Sequence, residues 1–116
     1  MELKKLFDTA VEALQEKKAR DIKAIDIGNL TTIAHYFILC SGTSVTHIKS
    51  LSDSVEEKLG ELGVKPKRTE GYNAARWVLM DYSDIVIHIF HEEEREFYGL
   101  ERLWQDGIPI KFEIPV

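Results

Sequence analysis

The chain has one cysteine in 116 residues, Cys40, so an internal disulfide and a thiolate zinc site are both excluded. Within Phe37-Ile38-Leu39-Cys40 that thiol reads as a small buried side chain rather than a reactive one. No apolar run approaches the ~20 residues of a membrane span, and Met1 to Lys5 does not lead into a signal-peptide core. No membrane association is expected, and the cytoplasm is the expected location. Excess positive charge is also missing: the net charge is −5. An extended nucleic-acid footprint needs clustered Lys and Arg, so no direct nucleic-acid site is expected, and a basic protein surface is the better electrostatic match. With 44% hydrophobic and 30% charged residues, the chain suits one ordered globular domain spanning 1–116.

Leu3, Leu6, Phe7, Ala10, Val11 and Leu14 repeat at threes and fours, which predicts an amphipathic helix ending near Lys18. Asp21 to Ile27 reads as a first strand, closed by Gly28-Asn29. The nearly continuous apolar run His35 to Cys40 reads as a central strand covered on both faces. Ser41-Gly42-Thr43-Ser44 then turns into a helix with Ile48, Leu51, Val55, Leu59 and Leu62 on one stripe, ended by Gly63. Lys65 to Arg68 is a basic turn into a short strand. Trp77 to Met80 and Ile85 to Phe90, separated by Asp81-Tyr82-Ser83-Asp84, form a β-hairpin. In its second strand Ile85, Ile87 and Ile89 share one face, while Val86, His88 and Phe90 share the other. Beyond it, Glu92-Glu93-Glu94 opens a short helix carrying Phe97, Leu100 and Trp104, and Ile108 to Val116 supplies a terminal edge strand limited by Pro109 and Pro115. The expectation is an α/β single-domain sandwich: a mixed sheet flanked by helices.

Few groups are spaced for chemistry. A Gly-Thr-Ser turn opening a helix resembles the phosphate turn of nucleotidyltransferases, but such enzymes also need closely spaced acids for two metal ions. Asp81 and Asp84 flank a turn, where loop hydrogen bonds account for them. His88 and His91 are three apart on an extended segment and so face opposite ways, while His35 and His47 lack ligand spacing. No metal, cofactor or catalytic residue is expected. What is concentrated instead is aromatic surface: Trp77, His88, Phe90 and Tyr98 in one hairpin-plus-helix unit rimmed by Glu92, Glu93, Arg95 and Glu96, the composition of a protein-binding patch. Such a patch requires His88 and Phe90 to be partly exposed. Phe97 and Trp104 are expected in the core.

The ordered segments Asp21-Ile22 with Asp26, Tyr36-Phe37-Ile38, Cys40 to Ser44, Glu70-Gly71, Trp77 to Asp81, Asp84 to Phe90 and Glu93 to Trp104 closely resemble the ribosomal silencing factor family, also called Iojap, over about four-fifths of the chain. The resemblance implies a nucleotidyltransferase-like α/β fold without catalytic acids, and a homodimer when free. It also implies binding to the large ribosomal subunit through its protein fourteen, at the face where the small subunit docks. That binding blocks joining of the subunits and represses translation under nutrient limitation. Carried over by position, Trp77, His88, Phe90, Glu93, Arg95 and Tyr98 form the contact set. A steric factor of this kind predicts ribosome binding without nucleotide turnover. The alternative, a degenerate or active nucleotidyltransferase, predicts nucleotide binding at Gly42-Thr43-Ser44.

Overall fold

The computed structural model describes residues 3–27, 35–93 and 108–109. Their elements run α1 (Leu3–Glu16), β1 (Arg20–Asp26), β2 (Tyr36–Gly42), α2 (Val45–Glu61), β3 (Arg68–Glu70), β4 (Trp77–Asp81), β5 (Ile85–His91) and β6 (Ile108–Pro109). The strands form one mixed sheet in the order β3-β4-β5-β2-β1-β6, with β5 and β2 at its centre. β2 and β5 pair in parallel, Phe37 opposite Val86 and Leu39 opposite His88, whereas the β4–β5 hairpin is antiparallel, with Trp77 opposite Phe90. The mixed sheet, the hairpin and the central position of β2 therefore agree with the sequence. The expected helix after Glu92 and most of the terminal strand lie outside the described residues.

Local chemistry sets the boundaries of α2. Ser44 is the N-cap, its hydroxyl accepting from His47 N–H at 3.0 Å. At the other end Gly63, at φ +80°, donates to Gly60 O while Val64 donates to Leu59 O, a Schellman closure that needs the left-handed residue glycine supplies.

Both described helices lie on one face of the sheet. Leu6, Phe7, Ala10, Val11 and Leu14 of α1 and Ile48, Leu51, Val55 and Leu59 of α2 are buried in one cluster with Ile38, Cys40, Val78, Met80, Ile85, Ile87 and Ile89. Burying a residue of this size contributes roughly 1.5–3 kcal/mol, so these stripes hold the two layers together. Cys40 is fully buried within that cluster. Alternation turns the remaining strand side chains the other way. Ile25, Ile27, Leu39, Val86 and Phe90 form a second cluster, with Phe37, Trp77 and Leu79 half-buried around it, and among the described residues strand β1, its extension Ile27, and strands β2, β4 and β5 build it.

Candidate functional site

The second cluster brings together three of the six residues expected to make contacts. Trp77 enters β4 directly across from Phe90, and their rings stack with centroids 5.3 Å apart. His88, two residues before Phe90 on the same strand face, lies parallel to the Phe90 ring at 6.1 Å, and Phe37 of β2 meets it edge-on at 4.7 Å. Trp77 Nε1–H donates to His88 Nδ1 at 3.0 Å. Because an indole N–H can only donate, Nδ1 is the bare nitrogen and the proton of the neutral ring resides on Nε2. Nε2 is shut off from solvent and, among the described residues, has no hydrogen-bond partner. Burial holds the imidazole well below its usual range, at about 4, so it is neutral at physiological pH.

The expected exposure of His88 and Phe90 is corrected here. His88 is 3% exposed and Phe90 0%, so neither offers its own surface to a partner. Alternation says which side chains share a face but not whether that face is covered. Trp77 is half-buried and Glu93 is exposed at the end of the hairpin. Arg95 and Tyr98 lie outside the described residues, as do Phe97 and Trp104. Of the acidic rim, Glu92 forms an exposed ion pair with Arg20 at 3.3 Å. The aromatic residue missed in the sequence is Phe37. Its place on the same face as His88 depends on the parallel β2–β5 register, which nothing local in the chain signals.

In the second candidate, the Gly42-Thr43-Ser44 turn, the Thr43 N–H and the Ser44 hydroxyl are engaged internally. Thr43 N–H donates to His47 Nδ1 at 2.9 Å, and His47 Nε2 lies 2.8 Å from the carbonyl of Lys17, to which it donates. Ser44 Oγ is occupied as the cap, and a Cβ on Gly42 would fall 2.7 Å from Ile48 Cγ1. Asp81 is likewise occupied, accepting from Ser83 N–H at 2.8 Å as the turn reading anticipated. Among the described residues no group of three His, Cys, Asp or Glu could hold a metal ion. A shallow polar depression of about 460 Å³ on the helix side is lined by Lys17, Lys49, Asp53, Glu57 and Tyr72, and Asp53 accepts there from the Tyr72 hydroxyl at 3.0 Å. It shares no residue with the aromatic cluster.

Known proteins resemble this chain in sequence and in fold. The family model described as "Ribosomal silencing factor during starvation" matches residues 1–115. The chain is 38% identical over 107 residues to the ribosomal silencing factor RsfS of Bacillus subtilis, covering 92% of this chain and 91% of that protein. It is 32% identical over 101 residues to the mouse protein "Mitochondrial assembly of ribosomal large subunit protein 1", covering 84% of this chain and 44% of that one. A crystal structure of a protein from Chromobacterium violaceum superposes with a TM-score of 0.87 at 34% identity, over 100% of this chain and 94% of that one.

Proposed function

The chain belongs to the ribosomal silencing factor family, and from that premise we propose that it docks on the large ribosomal subunit with the β4–β5 face described above. In this reading the receptor is large-subunit protein fourteen, and the bound chain blocks joining of the small subunit and represses translation when nutrients are scarce. It acts in the cytoplasm, without catalysis, and is a homodimer when free. The observation that carries the reading is the half-buried Trp77, stacked on a buried Phe90 and hydrogen-bonded to a buried His88, with the exposed Glu93 at the end of the same hairpin. A large aromatic fixed on a rigid strand is the kind of group that dominates interface energies. Trp77, Glu93, Arg95 and Tyr98 make the contacts, and His88 and Phe90 hold Trp77 from beneath. The engaged N–H of Thr43 favours this steric reading over nucleotide binding, because one of the donors a phosphate would use is already committed within the turn.

Co-sedimentation with separated ribosomal subunits tests the proposal. The protein is expected to pellet with the large subunit and not with the small one. Trp77→Ala is expected to weaken that binding, measured per folded molecule, by ~2 kcal/mol or more, close to thirtyfold. Equal sedimentation with both subunits, or unchanged affinity in the variant, overturns it.

A further inference from the structure

The Trp77–His88 pair places a polar atom where an apolar one would cost less. His88 is 3% exposed and is packed between Phe37, Trp77 and Phe90. A leucine could occupy such a site without burying an N–H that nothing accepts, and a buried unsatisfied donor opposes folding. What the imidazole supplies in return is a single acceptor, Nδ1, aimed at the indole nitrogen 3.0 Å away. The stack on Phe90 fixes the plane of the indole, and this hydrogen bond fixes its rotation within that plane.

We infer that His88 is a positioning residue for docking: by accepting the Trp77 N–H it turns the polar edge of the indole inward, so that the opposing partner surface is apolar, an aliphatic or aromatic side chain with no hydrogen-bond acceptor for the indole. The inference rests on the docking role proposed for this face. An indole N–H covered by a partner ordinarily needs an acceptor from that partner. Here the acceptor is internal, and the side chain is ordered before contact, which is worth on the order of tenfold in affinity when a mobile side chain no longer has to be immobilised.

The test uses the ¹⁵N-labelled full chain and purified large ribosomal subunits. The protein has two indoles, Trp77 and Trp104, and Trp77→Phe assigns their N–H resonances. His88→Leu removes the acceptor; it is expected to shift the Trp77 resonance, speed its exchange with solvent and weaken subunit binding by on the order of tenfold. His88→Asn keeps an acceptor at the same bond count from Cβ and is expected to restore both the resonance and most of the affinity. His88→Gln sets its oxygen one bond further out, restores neither, and replaces the leucine variant if that one fails to fold. An unmoved Trp77 resonance in His88→Leu, or undiminished binding despite a moved one, overturns the inference while the docking role stands. Loss of the docking role is read separately, from unchanged binding in Trp77→Ala.

Discussion

The two faces of β5 differ in what they bury. On the helix side Ile85, Ile87 and Ile89 meet aliphatic side chains from α1 and α2, and the buried serine hydroxyls have partners: Ser54 Oγ donates to Ala13 O at 3.0 Å, and Ser52 Oγ to Met80 Sδ at 3.5 Å. On the other side Val86, His88 and Phe90 lie among aromatic rings, with a hydrogen bond inside the layer and an unpartnered nitrogen beside it. One strand of seven residues therefore serves two purposes. Its isoleucine face closes a core that any aliphatic set of the right volume could close, whereas its imidazole face gives up some folding free energy to fix one tryptophan.

The largest expected effect breaks the comparison if the second face is only lightly packed. Phe90→Ala should destabilise the fold by about 3–5 kcal/mol, as much as a core deletion beneath the helices, because Phe90 is fully buried. Denaturant unfolding measures it. A cost near that of a surface residue would mean that this face opens in solution and that Phe90 makes contacts directly.

Acid sharpens the comparison through His88, the 3%-exposed imidazole of the second face; His91, 9% exposed at the end of β5, faces the other way, and its Nδ1 accepts from Glu93 N–H at 3.3 Å. The folded-state pKa of His88, about 4, lies below the ordinary 6.5. Above pH 6.5 the ring is neutral in both states and its titration leaves stability unchanged. As pH falls towards 4 the unfolded chain binds a proton that the folded chain refuses, so stability declines, by about 3 kcal/mol over the window. Carboxylates titrate at its lower end as well, so the measurement is the difference between the parent and His88→Leu curves. Parallel curves between pH 6.5 and 4 would show that protonation does not oppose this packing.

Much of this was legible in the chain, and for a physical reason. Period-two alternation in Ile85 to Phe90 separates the two faces by residue order alone, and the turn after Met80 sets the hairpin, although Asp81 still belongs to β4, where it pairs with Val86. The continuous apolar run of β2 marks a strand buried on both sides, and Ile38 and Leu39 indeed fall in different clusters. What alternation cannot carry is long-range. The burial of His88 depends on what covers the face, and its contact with Phe37 depends on a parallel register set some fifty residues away. The bridge from His47 to Lys17 depends on how α1 ends beside α2. The candidate site was legible as a set of residue types on one strand face, and illegible as a division between Trp77, which can touch a partner, and His88 and Phe90, which hold it.

The smallest expected effect decides whether an unpartnered polar atom on this scaffold is only a cost. The helix-side cluster has its own: Tyr82, 5% exposed at the hairpin turn, has a hydroxyl without a hydrogen-bond partner among the described residues, and burial raises its pKa. Unlike His88, it offers no second atom that orients a neighbour, since the phenol has a single oxygen. Tyr82→Phe removes that oxygen and leaves the ring, so it should leave stability unchanged or raise it by up to about 1 kcal/mol, and large-subunit affinity should not change. His88→Leu also removes an unpartnered N–H, yet it takes away the Trp77 acceptor as well and should lower affinity. If Tyr82→Phe instead destabilises the fold, the hydroxyl has a partner in solution, such as a buried water, and the unpartnered Nε2 of His88 then marks the second face alone.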